Sequence, residues 1–486
     1  MSGRQHDRGG RGPATAAHRP AADGAVPEVR GEELAARLRG RLLRPGDPGY
    51  EPARRLWNGM IDRRPALVAR CRGEEDVVAA VRHARDRGLP LAVRGGGHGV
   101  AGQALCDGGL VIDLSEMREV TVDPDARTAR ARGGCTLADV DGATQRHGLA
   151  APLGVVSATG IAGLTLSGGM GWLRRSHGLS CDNLLSARVV TADGRVLTAR
   201  AEENPDLFWA IRGGGGNFGV VTSFEYRLHP VGPEVYFCNV YFPAERAREV
   251  LRDCERCLRE SPVPAGPIGV LGRIPEAPEF PPGAHGRPFV ALLALFPGDP
   301  AEGERALLPF RDIAEPIADL SGVLPYTAAQ AVLDEDYPDG RRYYWKSVNA
   351  DGLGDELIDR LTAHAAAAPS PDSTIDIWYQ GGAMARVGEG ETAFANRSSP
   401  YLFGIEGNWT AAADSAANVA WVRDTVADLR AYSGGGTYLN FPGFLEEGEQ
   451  QLREGYGRNY ERLTRIKTRY DPGNLFRLNA NIRPRG

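Results

Sequence analysis

The stretch RGGGHG at residues 94–99 follows an apolar run and sets one imidazole among four glycines. Glycines let a backbone come close to a ligand and supply positive φ, and successive N–H groups in such turns form concavities that bind anions. Two further stretches have this character, GIAGLTLSGGMGW (160–172) and RGGGGNFG (212–219). Taken singly, each is as consistent with a structural turn as with a phosphate cradle. A dinucleotide fingerprint of the G-x-G-x-x-G kind must open a helix, and although Asp113 follows, the chain after Gly99 is broken by Gly102, Gly108 and Gly109. A Rossmann turn is therefore not the reading. His98 reads either as a core histidine or as a neutral imidazole close enough to a bound cofactor to act as nucleophile or hydrogen-bond partner.

The elements that hold these turns follow from periodicity. ALVARC reads as a strand, EEDVVAAVRHARDRG as an amphipathic helix and LPLAVR as a strand running into the first glycine turn, a β-α-β unit. VTVDPDARTARARGG, the helix LADVDGATQRHG and the hairpin ARVVTADGRVLTA, turning at Asp193-Gly194, complete an α+β domain. Proline-rich breaks such as PPGAHGRP (281–288) and the run FVALLALF mark a second region built on an antiparallel sheet. EEGEQQLREGYGRNYERLTRIKTRY reads as one helix stopped at Asp471-Pro472-Gly473. The division expected is a disordered tail over 1–30, an α+β domain over 31–232, an antiparallel-sheet domain over 233–430 and a C-terminal segment over 431–486 that returns to the first domain.

With 57 basic against 62 acidic residues the chain has no basic block to neutralise a run of phosphates, which argues against nucleic acid as a partner. No stretch approaches the ~20 apolar residues of a membrane span, and the N-terminus lacks the apolar core of a signal peptide. A cytoplasmic monomer or homodimer is the expectation. Seven scattered cysteines read as thiols of a reducing compartment; Cys254 and Cys257 form a CxxC inside a helix, with no second pair to complete a metal site, and no metal is expected.

The ordered set Arg94-Gly95-Gly96-Gly97-His98, GIAGLTLSGGMGWLRRSHGLSCDNLL (160–185), NPDLFWAIRGGGGNFGVVTSF (204–224) and YDPGNLFRLNANIRP (470–484) resembles the FAD-linked oxidases of the berberine-bridge-enzyme type. These belong to the vanillyl-alcohol-oxidase superfamily with its two-lobed, PCMH-type FAD-binding domain, and the form here is nearest the bacterial 6-hydroxy-D-nicotine-oxidase-like members. The resemblance implies an α+β fold: that FAD-binding domain, plus an antiparallel-sheet substrate domain with helices on one face. It also implies FAD bonded covalently through His98, cradled by Arg94, Gly95, Gly96, Gly97 and Gly99. Thr159, Gly160, Gly163, Gly168, Gly169 and Gly171 would line the flavin, with Asp182, Val220, Asn440 and Asn479 as further contacts. The pair Asp182-Asn183 reads equally well as a turn. Some relatives carry a second, cysteinyl bond to the flavin. The matching position here is Val156, so single attachment is implied, with Cys181 a packed thiol.

The chemistry implied is two-electron oxidation of a bulky small molecule, plausible in secondary metabolism, with O2 as acceptor and Thr159 near the flavin edge. Alcohol-oxidising relatives often place a basic tyrosine where this chain has Phe441 in Tyr438-Leu439-Asn440-Phe441. Tyr438 is then the substitute base or a core tyrosine, and Asn440 a hydrogen-bond partner. If that segment is a strand, Tyr438 and Asn440 share a face and Phe441 opposes them. A carbohydrate or alcohol oxidase using Tyr438, or a flavoprotein that binds a metabolite or guides a non-redox cyclisation, are the alternatives. For the substrate wall, strand alternation pairs Trp378 with Gln380 and Tyr344 with Lys346, and both pairs are expected inward; Lys346 as a solvated cation is the competing reading.

Overall fold

A computed structural model describes residues 31–260 and 264–485. The expected tail over 1–30 lies outside the described residues. The N-terminal sheet has four strands in the order Arg41–Leu43, Leu67–Arg70, Leu110–Asp113 and Leu91–Arg94. Leu67–Arg70 and Leu91–Arg94, joined by the helix Glu74–Arg87, do not touch; each pairs in parallel with Leu110–Asp113, which lies between them. That helix opens with Glu74, Glu75 and Asp76, acids suited to the positive end of a helix dipole, and ends at Gly88 with φ +63°. Asp76 also accepts from the backbone N–H groups of Arg39, Gly40 and Arg72, binding the entering chain to the helix start.

A second, antiparallel sheet runs Val120–Asp123, Thr128–Arg132, Val220–Arg227, Leu184–Val190 and Val196–Arg200, the last two being the expected Asp193-Gly194 hairpin. The third sheet has eight strands, with Glu234–Pro243, Pro288–Phe296, Ile268–Arg273, Thr374–Tyr379, Tyr401–Trp409 and Arg342–Ala350 as neighbours in that order. Alternation divides its side chains cleanly. Tyr236, Cys238, Val240 and Phe242 join one core, under the helices Ala247–Glu260, Pro300–Arg311, Asp355–Ala366 and Ser415–Leu429. Val235, Phe237 and Tyr241 join another, with Met170, Trp172 and Leu173 of the cofactor lobe. Because both faces are covered, these strands are buried along nearly their whole length, with apolar residues on both faces, and the sequence pattern does not mark which face looks toward the site.

The single helix expected over residues 446–470 is two, Glu449–Tyr456 and Tyr460–Tyr470, parted at Gly457. Gly457 takes φ +48° and ψ −135°, a conformation closed to side-chain-bearing residues. Beyond the second helix, Lys467 ties down the last segment. Its fully buried ammonium donates to the carbonyls of Asn217 (2.9 Å) and Phe476 (3.0 Å) and pairs with Asp471 at 2.6 Å. Asp471 in turn accepts from the N–H groups of Leu475 and Phe476. No helix among the described residues is long and apolar enough to cross a membrane.

Candidate active site

The two small sheets, the eight-stranded sheet and the C-terminal segment meet around one long cavity. Its first half is made of bare backbone. A Cβ on Gly96 would lie 2.5 Å from the Gly160 nitrogen and 2.6 Å from its Cα, so the first two glycine turns touch backbone to backbone. A Cβ on Gly99 or Gly163 would meet no protein atom, because both positions open onto the cavity. Gly215 and Gly216 of the third turn, Val220, and the returning Phe476, Leu478 and Asn479 complete this half. Among the described residues the only acids lining the cavity are Asp376 and Glu406, which stand on the eight-stranded sheet. A groove of exposed amides with no carboxylate fits an anionic dinucleotide such as FAD. Asn479 Oδ1, buried and without a hydrogen-bond partner among the described residues, marks a polar contact left for a ligand.

His98 lies at the edge of this half, stacked on Trp57 with ring centroids 4.1 Å apart. Trp57 stacks in turn on Tyr343 (3.6 Å), meets Trp345 edge-on (5.2 Å), and donates from Nε1 to the Tyr337 carbonyl at 2.8 Å. Aromatic packing thus holds the ring's plane. Burial lowers the His98 pKa to about 4, so the imidazole is neutral at physiological pH, and its buried Nε2 has no partner among the described residues. A neutral, oriented ring nitrogen without a partner is what attachment to a cofactor requires.

The second half is floored by the eight-stranded sheet, from which Trp345, Asp376, Trp378, Leu402 and Glu406 point inward. Asp376 stands opposite Gly404 and Glu406 opposite Thr374 on adjacent strands, so the two carboxyls are diagonal neighbours on one face. Both residues are buried, and neither makes an ion pair within the described residues. Burial pushes the Asp376 carboxyl up to about 7. Glu406 is raised well above the usual carboxylate range, by burial first and then by Asp376. Tyr337 donates to Glu406 Oε2 at 2.8 Å. These groups were missed by sequence reasoning, although Asp376 lies two residues before Trp378 and hence on its face.

Between the halves lies Tyr438-Leu439-Asn440-Phe441, which is a turn and not a strand: the Phe441 N–H donates to the Tyr438 carbonyl at 2.9 Å. The expected opposition of Phe441 to its neighbours therefore disappears, and Tyr438, Asn440 and Phe441 all line the cavity. The buried Tyr438 phenol oxygen accepts from Asn440 Nδ2 at 2.8 Å and from the Met170 N–H at 3.3 Å. Burial nonetheless raises its pKa above the ordinary tyrosine value.

Of the residues singled out from sequence, the cavity brings together Gly95, Gly96, Gly97, His98, Gly99, Val156, Thr159, Gly160, Gly163, Val220, Trp378, Tyr438, Asn440 and Asn479. Others lie elsewhere. The Arg94 guanidinium turns back to the Ala53 carbonyl. Gly168, Gly169 and Gly171 are small because protein abuts them: an added Cβ would strike the Phe394 ring, the Ser180 side chain and the Leu153 carbonyl. Asp182 is held in a buried ion pair by Arg397, at 2.6 and 3.0 Å, and beside it Cys181 is fully buried. Gln380 lies past the end of its strand, its backbone bonded to Pro400 and Arg175, away from the cavity.

The inward placement of Tyr344 and Lys346 is corrected by the sheet. Trp345 faces the cavity, and its two neighbours face the helix-covered side. There Tyr344 bonds Glu446 and accepts from Arg423, while Lys346 pairs with Glu447 and lies 3.8 Å from Glu446. Lys346 is neither a substrate anchor nor a solvated cation.

Family comparisons agree with this architecture. Residues 65–200 match the family model described as an FAD binding domain, and residues 437–483 match that of berberine and berberine-like proteins. An FAD-linked oxidoreductase of Dictyostelium discoideum is 30% identical over 460 residues, 93% of this chain and 96% of that protein. (R)-6-hydroxynicotine oxidase of Paenarthrobacter nicotinovorans is 30% identical over 475 residues, 92% and 98% of the two chains. The crystal structure of 6-hydroxy-D-nicotine oxidase from Arthrobacter nicotinovorans superposes with a TM-score of 0.82 at 29% identity, covering 92% of this chain and 98% of that one. A bare-backbone cradle, a neutral histidine at its edge and a sheet-floored chamber beyond it thus stand in a chain that belongs to the berberine-bridge-enzyme-like family of FAD-linked oxidoreductases.

Proposed function

We propose that this chain carries FAD attached through His98 alone and oxidises a bulky small molecule by two electrons, with O2 as the acceptor. The bound flavin would supply the hydride-accepting and oxygen-reducing chemistry. The remaining work falls to the chain's own side chains. Gly95–Gly99, Gly160 and Gly163 would hold the cofactor, and Trp345, Trp378 and Phe441 would exclude water from the reacting end. The observation that carries the reading is that one cavity joins the His98 cradle to the buried Asp376 and Glu406. A carboxyl poised at about 7 is matched to taking a substrate proton near neutral pH. Tyr438 is a poorer base, because its pKa is raised and its oxygen already accepts two hydrogen bonds. The pair Asp376 and Glu406 therefore takes the proton role that Phe441 cannot fill, and Tyr438 and Asn440 orient the reacting end.

The test is a mass spectrum of the denatured chain together with peroxide release during turnover. A chain heavier by one FAD, with the added mass on the His98 peptide, supports attachment. Unmodified His98 peptide from yellow protein refutes it. Anaerobic addition of a substrate that bleaches the flavin supports oxidation, whereas ligand binding without bleaching refutes it.

A further inference from the structure

The segment Trp57-Asn58-Gly59 lies between the turn that carries His98 and the edge strand Arg342–Ala350 of the eight-stranded sheet, and it is bonded to both. Toward the turn, the Trp57 N–H donates to the Gly97 carbonyl at 3.4 Å and Asn58 Nδ2 to the Val100 carbonyl at 2.7 Å. Toward the sheet, Asn58 donates to the Tyr343 carbonyl at 2.8 Å and accepts from the Tyr343 N–H at 3.1 Å. The Trp57 carbonyl accepts from the Gly340 N–H at 2.9 Å, and the Gly59 N–H donates to the Arg341 carbonyl at 2.8 Å. A Cβ on Gly59 would run into the Gly340 carbonyl, so the backbones meet directly here as well. Asn58 is fully buried, and parting turn from sheet would leave its amide without partners.

The rings run the same way as the bonds. His98, Trp57 and Tyr343 form one stack, with centroids 4.1 and 3.6 Å apart and interplanar angles of 16° and 10°. Stacking sets the plane of a ring and leaves its edge, where the imidazole nitrogens are, open to a reaction partner. His98 lines the cavity, whereas Trp57 and Tyr343 are not among the residues that line it. A change at either of these two therefore removes no wall of the cradle and acts on a bound cofactor through the rings beside it, His98 first.

We propose that Trp57-Asn58-Gly59 is a positioning clamp: Trp57, seated against Tyr343, sets the plane of His98 for its reaction with the flavin, so that attachment proceeds in chains whose eight-stranded sheet has closed on the His98 turn. The inference rests on the His98 attachment proposed above and names what makes that histidine competent. In the attaching step an imidazole nitrogen is joined to a methyl carbon of the flavin ring. The imidazole and the methyl carbon each give up one hydrogen, and O2 takes both, with their electrons, to become hydrogen peroxide. Trp57 and Tyr343 exchange no atom in this step; they supply orientation, whose loss by about 1 Å costs up to about a hundredfold in rate.

The test follows attachment rather than turnover. Full-length chains made under riboflavin starvation are given FAD, and the flavin retained in the pellet after acid precipitation is measured over time. Trp57→Leu keeps apolar bulk without a flat face and should attach flavin at least about tenfold more slowly than wild type. Trp57→Phe restores the face, gives up the Nε1 bond to the Tyr337 carbonyl, and should attach within about threefold of wild type. Tyr343→Leu, one ring further out, should be slowed at least about threefold. Non-covalent affinity is read from flavin fluorescence in a His98→Ala background, where adding Trp57→Leu should change the Kd for FAD less than about threefold. Wild-type attachment by Trp57→Leu, equal slowing in Trp57→Leu and Trp57→Phe, or a loss of non-covalent affinity as large as the slowing each overturns the clamp. Should thermal melting show that Trp57→Leu does not fold, wild-type attachment by Tyr343→Leu or a tenfold slowing in Trp57→Phe overturns it instead. A wild-type chain that holds FAD without ever bonding it overturns the attachment reading; a wild type that attaches beside a Trp57→Leu that attaches as fast overturns this inference alone.

Discussion

The contact between Gly96 and Gly160 separates what the glycine turns do for the fold from what they do for the cofactor. In Gly96→Ala the new methyl would stand 2.5 Å from backbone nitrogen and 2.6 Å from backbone carbon, nearly 1 Å inside ordinary contact, with no side chain free to give way. Overpacking of this kind costs about 1–3 kcal/mol. At about 2–4 °C per kcal/mol for a unit the size of the cofactor lobe, melting should fall by several degrees even without flavin. Gly163→Ala is the contrasting case. Gly163 sits inside the helix Ile161–Leu166, its Cβ would meet no protein atom, and alanine is the better helix former by about 1 kcal/mol. The flavin-free Gly163→Ala chain should therefore melt at or above the wild-type temperature and yet bind flavin at least about tenfold more weakly, because the methyl enters the cradle. The assay is thermal unfolding of chains expressed under riboflavin starvation, paired with flavin-to-protein ratios of replete preparations. Full flavin content in Gly163→Ala, or unchanged melting in Gly96→Ala, would refute the assignment of this groove as the cradle.

Further outcomes follow from the same geometry. His98→Ala should release all yellow colour into the supernatant on acid precipitation, where the wild type keeps it in the pellet. Asp376→Asn should lower turnover at least about a hundredfold at neutral pH, and Tyr438→Phe less than about tenfold, as steady-state rates would show. Asp376 titrates higher in the folded chain than in the unfolded one, so its contribution to stability is complete below the ordinary aspartate pKa and is lost as pH rises through about 7. Melting of the substrate-free protein should thus decline between pH 5 and 8 more steeply in the wild type than in Asp376→Asn. Lys467→Met should cost about 3–5 kcal/mol in chemical denaturation, because it leaves the Asp471 carboxylate buried without its cation.

The cradle was legible because its signal is local: a run of glycines requires close approach wherever the chain takes it, and RGGGHG carries its histidine within the same turn. The substrate wall was not legible, for reasons visible in single residues. Alternation states that Tyr344 and Lys346 share a face and that Trp345 opposes them, but with both faces of the strand covered, nothing in YYWKS says which is inward. Lys346 found its partner at Glu447, about a hundred residues away. Tyr438 to Phe441 looks extended in sequence, and only the i to i+3 hydrogen bond reveals the turn that brings Phe441 beside Asn440. Glu406 lies in YLFGIEGNW, a strand buried from end to end and largely apolar, where an acid has no local reason to be; that anomaly was the available signal.

The last wall of the cradle, Phe476 to Asn479, belongs to a segment that Lys467 secures against the third glycine turn. A ribosome adding roughly 5–20 residues per second makes that wall tens of seconds after the loop bearing His98. Until then the histidine waits in a trough open along one side. Lasting retention of a cofactor should therefore depend on that last segment, and chains cut short before Phe476 should lose their yellow colour where full-length chains keep it.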